Sequence, residues 1–340
     1  MTNRQILFAK RPDGWVTTDC FDQRDGEMPE PGPGEFLVRN IYMSVDPYMR
    51  GMMNPQRSYA APLQPGDVMA CRVVAEVLQS NHADYAKGDI VFAMARWEEY
   101  SVLNGSETVR KIDPALAPVS WHLGVLGAPG LTAYVGMMVL LGPPEAGQQV
   151  YVSSAAGAVG QVAVQLAKLN GARVVGSAGS DAKVAFLTDT LGIDGAFNYK
   201  TETSYAAALD RFFPDGIDMY FDNVGGEALE AVIERARPFA RLPLCGMISR
   251  YNEEGGYPVR NLTQVNRMRL TLQGYIVRDH YDLLPEYLDK MAGWLKAGEV
   301  KYIEDITQGL ENAPEAFIAM LKGGNFGKQV VQISEDPARS

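Results

Sequence analysis

Residues 150–171 read VYVSSAAGAVGQVAVQLAKLNG, and this order of residue types decides the fold. The apolar run Val150-Tyr151-Val152 reads as a buried strand. Ala155-Ala156-Gly157-Ala158-Val159-Gly160 then gives a tight turn. Val162, Ala163, Leu166 and Leu169 recur at helical spacing and stop at Asn170-Gly171, a C-terminal cap. Strand, glycine turn and helix together make the dinucleotide-binding pattern, here A-x-G-x-x-G in place of G-x-G-x-x-G. Gly157 lets the backbone approach a pyrophosphate and Gly160 lets helix and strand pack closely. The helix N-terminus offers N–H groups and a favourable dipole to phosphate. Alone, the same letters fit an ordinary strand-to-helix turn, so the surroundings carry the weight.

Downstream, strand-like segments recur at 172–177, 195–198, 217–221, 241–245 and 270–276, with helical segments at 181–191, 204–212 and 226–236 between them. With 149–153 as the first, six strands in this alternation specify an α/β fold with a Rossmann-type, doubly wound parallel sheet. Its ligand lies at the carboxyl ends of the strands. Upstream, 6–8, 35–41, 69–78 and 89–93 read as strands. Turn signals at Pro31-Gly32-Pro33-Gly34, Pro65-Gly66-Asp67 and Lys87-Gly88-Asp89 separate them, which points to a compact antiparallel barrel. A glycine-rich connector at 123–130 and an apolar helix at 131–141 lead into the sheet. An amphipathic helix at 284–296, capped by Gly298, follows it. The last helix (313–321) and strand (329–333) are expected to return to the N-terminal domain.

The 340 residues suffice for two cores, and 46% hydrophobic with 21% charged residues is the balance of a soluble globular chain. A net charge of -10 argues against nucleic acid as a partner, because phosphate neutralisation needs a basic surface. No run reaches membrane-span length, and Arg4, Lys10, Arg11 and Asp13 interrupt the place where a signal peptide would hold its apolar core. Cys20, Cys71 and Cys245 form no C-x-x-C pair, and His82, His122 and His280 are equally scattered. The expectation is a cytoplasmic enzyme with no metal site.

The strand after such a glycine turn normally ends in a carboxylate that bonds the adenosine ribose of NAD. Here it runs Val174-Val175-Gly176-Ser177-Ala178-Gly179-Ser180-Asp181-Ala182-Lys183, with Lys183 within a turn of the tip and Ser180 placed to cap the helix. A lysine beside a small polar tip suits the dianionic 2′-phosphate of NADPH. The competing reading makes Lys183 a solvated helix lysine and Asp181 the ribose ligand. The fourth and fifth strands end in Asp222-Asn223-Val224-Gly225-Gly226 and Cys245-Gly246-Met247-Ile248-Ser249, glycine turns at the same edge.

Taken in order, SVDPYMR (44–50), GAPGLTAY (127–134), AAGAVG (155–160), 176–183, FNYK (197–200), YFDNVGG (220–226), CGMISRYN (245–252) and GGNFGK (323–328) resemble the zinc-independent medium-chain dehydrogenase/reductase superfamily over essentially the whole chain. The branch is that of leukotriene B4 dehydrogenase/prostaglandin reductases, plant 2-alkenal double-bond reductases and bacterial curcumin reductases. The resemblance implies a GroES-like catalytic domain of residues 1–122 and 302–340 and a Rossmann dinucleotide-binding domain of 123–301. It also implies a homodimer, with the sixth strand as the candidate seam. Gly157, Ala158, Val159 and Gly160 would take the pyrophosphate, and Lys183 and Tyr199 the 2′-phosphate. Asn223, Cys245, Gly246, Ile248, Ser249, Tyr251, Tyr275, Ile276, Val277 and Asn325 would border the adenosine, ribose and nicotinamide. On their own, Tyr199 reads as a packed aromatic and Asn325 as a turn residue.

The activity so implied is metal-independent, NADPH-dependent reduction of an activated C=C bond. Hydride reaches the β-carbon of an enone or enal, and charge develops on the carbonyl oxygen, where a donor stabilises it as an oxyanion hole would. A proton then reaches the α-carbon from a phenol, a ribose hydroxyl or water. Phenols stay protonated at neutral pH, which makes Tyr251, Tyr59 and Tyr48 the catalytic candidates. The resemblance sets Tyr251 beside the nicotinamide and Tyr59 on the loop 54–64. Trp97 and Met94 are candidates for an apolar pocket wall, with core packing the favoured role for Met94, and Arg50 is a candidate for a tie to backbone carbonyls or Asp46. The same scaffold supports NADPH quinone reductases, and a chain that held NADPH without turnover would be a sensor. Loop 54–64 and segment 250–260 are expected to set the pocket size.

Overall fold

In the computed structural model, which describes residues 2–56, 58–105, 109–253 and 255–338, the chain divides into two units. One is Met1–Leu123 with Glu304–Ser340, the other Gly124–Ile303. The first begins with β1 (Thr2–Phe8) and β2 (Phe21–Glu27), an antiparallel hairpin. Then come β3 (Phe36–Ser44), the short helix α1 (Tyr48–Met52), β4 (Ala70–Ser80), β5 (Ile90–Arg96), β6 (Tyr100–Leu103) and β7 (Arg110–Lys111). β3 is buried at nearly every position because both of its faces are covered, and of its polar residues only Arg39 is partly exposed. Phe36, Val38 and Met43 enter one core cluster and Ile41 and Tyr42 another, with a register shift between Asn40 and Tyr42.

The second unit opens with α2 (Ala128–Tyr134), which runs into a π-helical turn, Val135–Val139. β8 (Gln149–Val152), α3 (Gly160–Leu169), β9 (Arg173–Ala178), α4 (Asp181–Ala185), β10 (Gly195–Asn198), α5 (Tyr205–Phe212), β11 (Ile217–Phe221), α6 (Gly226–Arg235) and β12 (Ala236–Leu244) follow in alternation. α7 (Thr263–Arg267), β13 (Thr271–Gly274) and α8 (Leu284–Ala297) complete the unit, and Gly298 ends α8 in the left-handed conformation, as a C-cap requires. The sheet order is β10-β9-β8-β11-β12-β13, and every neighbouring pair is parallel. Counted from its first strand, this is 3-2-1-4-5-6, the doubly wound order, with the direction of winding reversing between β8 and β11. Tyr151 on β8 stacks on Tyr220 of β11 (centroids 5.0 Å) and on Phe197 of β10 (5.8 Å), an aromatic row within the core.

β14 (Glu304–Gln308), α9 (Ala313–Leu321) and β15 (Lys328–Gln332) belong to the first unit, and β15 pairs antiparallel with β3. β14 and β15, however, are parallel, so the barrel-like sheet is not antiparallel throughout. The reason is α9: a helix carrying the chain from one end of the pair back to the other makes a crossover, and a crossover yields parallel strands. α9 also accounts for a second correction. Trp97, expected as a pocket wall, is fully buried, stacked on Phe21 (5.7 Å) and edge-on to Phe317 of α9 (6.1 Å), whereas Met94 is half-buried on β5. β12 starts before the expected position 241, with Phe239 held at φ 67. No helix among the described residues is long and apolar enough to cross a membrane.

Candidate functional site

The carboxyl ends of β8 and β11 flank the reversal of winding, and side chains tie their turns together. Asn223 donates its backbone N–H to Ser153 Oγ (2.9 Å) and its Nδ2 to the Ser153 carbonyl (2.7 Å). Asp222 Oδ1 accepts from the Tyr220 hydroxyl (2.7 Å) and from the N–H groups of Val224 (2.9 Å) and Gly225 (2.8 Å), which folds the turn into α6. Burial raises the Asp222 carboxyl above the usual carboxylate range against those donors. The turn after β12 lies on this one: Ile248 N–H reaches the Asn223 carbonyl (3.3 Å), and Ser249 Oγ donates to the Val224 carbonyl (2.6 Å).

In the turn between β8 and α3, Ser154 adopts φ 49 and its carbonyl accepts the Gly157 N–H (3.0 Å). A Cβ at Gly160 would run into that same carbonyl and the Ala155 backbone, which closes the position to other residues. Val159 precedes α3, and Ala158 lies between the two glycines. At the start of α3, ten residues long, the Gln161 N–H is taken by the Gly157 carbonyl (3.0 Å) and the Ala163 N–H by the Val159 carbonyl (3.0 Å), and the helix dipole makes this end positive.

At the tip of β9, Ser180 caps α4 by accepting the Lys183 N–H (3.4 Å). Tyr199 stacks on Tyr205 (5.9 Å) and brings its hydroxyl within 3.0 Å of where a Cβ on Gly179 would lie. Asp181, the one carboxylate in the stretch, accepts from Asn198 Nδ2 (2.7 Å).

The tyrosine candidates fall in two places. Tyr251 follows the short turn Ile248–Arg250, and its hydroxyl lies 3.2 Å from the Cβ that Gly246 lacks, folded over the Cys245-Gly246 bend. Burial raises this phenol above its ordinary value and pushes the Cys245 thiol to about 12, so both hold their protons at neutral pH. In the first unit, Tyr48 opens α1, and its ring centroid lies 6.4 Å from that of Tyr59, which is 47% exposed. Arg72 places its guanidinium 5.4 Å from the Tyr48 ring centroid. Of the loop expected at 54–64, Arg57 lies outside the described residues, as does Glu254 of segment 250–260.

Two family profiles match: "N-terminal domain of oxidoreductase" over residues 4–112 and "Zinc-binding dehydrogenase" over 158–293. The NADP(+)-dependent 2-alkenal reductase of Nicotiana tabacum is 45% identical over 99% of both chains. The NADPH-dependent curcumin reductase of Escherichia coli is 39% identical over 98% of both. The chain belongs to the zinc-independent medium-chain dehydrogenase/reductase family. The crystal structure of Vibrio vulnificus CurA in complex with NADPH, 40% identical, superposes with a TM-score of 0.92 over 98% of this chain and 100% of that one.

Several of the expected bordering residues also make contacts within the protein. The Tyr275 hydroxyl donates to the Thr132 carbonyl (2.8 Å), in the space that Gly136 leaves within the π-helical turn. Ile276 and Val277 lead into the short helix Val277–Leu283. Asn325 closes its own turn, Nδ2 to the Gly327 carbonyl (2.8 Å). Arg50 reaches the Gly14 carbonyl (2.8 Å) and Asn54 Oδ1 (2.6 Å). Asp46 is instead held by Ser44 Oγ (2.6 Å), Lys328 Nζ (3.4 Å) and Arg72 (3.7 Å).

Sequence reasoning passed over Arg11, whose guanidinium clasps the carbonyls of Met53 (2.8 Å) and Leu63 (3.0 Å) and so joins the two ends of the loop that bears Tyr59. It also passed over the Ser153–Asp222–Tyr220 set beneath Asn223. Asp222, a lone carboxylate at the end of an apolar strand, is the letter that signals this set. Among the described residues no three His, Cys, Asp or Glu side chains are gathered as a metal site would require.

Proposed function

We propose that this chain is an NADPH-dependent reductase of the C=C bond in α,β-unsaturated ketones and aldehydes. The observation that carries the reading is the glycine turn at the winding reversal, read with a neighbouring strand tip that offers lysine, serine and phenol while its one carboxylate is engaged by Asn198. These residues fit the cofactor. Gly157 to Gly160 would hold the pyrophosphate on the α3 N-terminus, and Lys183 with Tyr199 the 2′-phosphate. Asn223, Cys245, Gly246, Ile248, Ser249 and Tyr251 would border the ribose and nicotinamide, with Tyr275, Ile276, Val277 and Asn325 as further bordering residues.

When bound, NADPH supplies a hydride for the β-carbon of the substrate. The protein's part is to orient the enone and to meet the charge that grows on its carbonyl oxygen with a neutral donor. We assign that donation, and proton delivery, to the phenol of Tyr251. Tyr59 and Tyr48 are the substrate-side phenols of the Met1–Leu123/Glu304–Ser340 unit, the catalytic domain, and the Gly124–Ile303 unit is the cofactor domain. Loop 54–64, fastened by Arg11, sets the size of substrate accepted.

We further assign a homodimer and a cytoplasmic location. β13 ends the sheet order with Thr271, Gln273 and Gly274 exposed, an unpaired edge that a second copy would continue. All three cysteines are free thiols, which suits a reducing compartment.

The test is NADPH oxidation against a panel of enals, enones and quinones, with products identified. A saturated ketone or aldehyde supports the reading. Hydroquinone as the sole product replaces it with quinone reduction, and NADPH binding without turnover of any acceptor replaces it with a sensor.

A further inference from the structure

We infer that Lys200 is a second cationic determinant of the 2′-phosphate subsite, acting beside Lys183, an inference that rests on the NADPH reading above. Lys200 belongs to the turn after β10, and its placement follows from Asn198. That residue's Oδ1 accepts the Lys200 N–H (3.1 Å), its carbonyl accepts from Thr201 Oγ1 (3.1 Å), and its Nδ2 engages Asp181 (2.7 Å). One amide thus fixes the lysine's backbone and engages Asp181, the carboxylate that begins α4.

The side chain of Lys200 runs back to the tip of β9. Its Cε lies 3.3 Å from the Cβ that Gly179 lacks, next to the Tyr199 hydroxyl at 3.0 Å. The ammonium is one bond beyond that Cε. A glycine at 179 leaves open the space that the lysine and the phenol share. The Lys200 ammonium has no ion pair or hydrogen bond to the protein among the described residues, and the residue is exposed, in a chain of net charge -10. A cation with no ion pair among the described residues, its Cε beside Gly179 at the tip of β9, matches a phosphate dianion. Two lysines balance its two charges, where one would leave a net negative.

The experiment measures binding, independently of turnover. Wild type, Lys200→Gln, Lys200→Arg and Lys183→Gln are titrated calorimetrically with 2′,5′-ADP and with 5′-ADP, after thermal melts show that each is folded. Lys200→Gln is expected to weaken 2′,5′-ADP about five- to thirtyfold, the scale of one exposed charge-assisted contact, and to leave 5′-ADP within about twofold. Lys200→Arg is expected to restore most of the loss. A wild type that favours 2′,5′-ADP while Lys200→Gln keeps the same preference overturns the role of Lys200 and leaves the NADPH reading standing. A wild type with no preference overturns the NADPH reading itself, and the role of Lys200 with it.

Discussion

The methyl group of Ala155 fills the space that Gly176 leaves on the adjacent strand: a Cβ on Gly176 would lie 2.6 Å from it. The glycine missing from the first position of the turn motif has a counterpart on β9. The two positions therefore behave as one unit, in which a single side-chain methyl is tolerated. Gly176→Ala is expected to cost about 1–3 kcal/mol, the range for overpacking a tight core, read from urea unfolding. Ala155→Gly combined with Gly176→Ala moves the methyl to the other strand and is expected to recover most of that loss. A double variant as unstable as the single one would refute the pairing.

Tyr251→Phe removes the phenol that folds over Gly246. Turnover of an enone is expected to fall roughly ten- to a thousandfold, the scale of one lost donor, with NADPH binding nearly unchanged. The pH profile carries the sign. Burial raises the Tyr251 phenol above its ordinary value of about 10, so the donor stays loaded through neutral and mildly alkaline pH. Loss of kcat from its ionisation should begin only above about pH 10. A kcat that declines between pH 7 and pH 9 in wild type and not in Tyr251→Phe would assign the donor a lower pKa than this environment gives.

Asp46 and Lys328 form a buried pair with unequal ends. Lys328 and Arg72 hold the Asp46 carboxyl below the usual range despite burial, whereas burial outweighs pairing for Lys328 and lowers its ammonium from 10.5. Desolvation of the ammonium offsets much of the attraction, so the pair adds little net stability, yet breaking it is costly. Asp46→Asn is expected to lose about 3–5 kcal/mol at neutral pH. A carboxyl with a lowered folded pKa contributes stability above its unfolded value, about 3.9, and surrenders it as pH falls through the folded value below that. Wild type should therefore weaken below about pH 4, and the destabilisation caused by Asp46→Asn should shrink over the same range.

Arg11 joins Met53 and Leu63 by two hydrogen bonds from one planar guanidinium. Lysine carries the charge but cannot present that fork. Arg11→Lys is expected to raise KM for bulky enones about three- to tenfold while leaving KM for NADPH and kcat on a small enal within about twofold. Equal changes for all three would mark Arg11 as a general stabiliser of the fold.

The parallel sheet was legible because its central strands β8, β9 and β11 are buried along most of their length and so appear as mainly apolar runs between helical periods. β10 and β11 match their expected bounds. β2 was not legible: FDQRDGE is almost wholly polar, since the hairpin leaves most of its residues at least partly exposed, and only pairing with β1 makes it a strand. β14 was missed because its partner lies across a helix and its own residues, EDITQ, are half-buried at best. The glycine turns at the strand ends were legible from their spacing. The supports beneath them were not, because Ser153, Tyr220 and Asp222 act through contacts among three separate stretches that no local pattern connects. Tyr275 shows the reverse: its motif matched, while the pocket left by Gly136 claims its hydroxyl.

The return of β14, α9 and β15 to the first unit has a consequence for synthesis. On the ribosome, the Gly124–Ile303 unit is complete while β3 still lacks its β15 neighbour and Trp97 still lacks Phe317. The N-terminal strands must therefore wait, with apolar surface uncovered, until β15 has emerged. Closing so long a loop is slow, and the exposed intermediate is prone to aggregate. Yield in cells should therefore depend on the final segment more than its length suggests, and release before Lys328 should deliver a finished Rossmann unit joined to a half-built barrel.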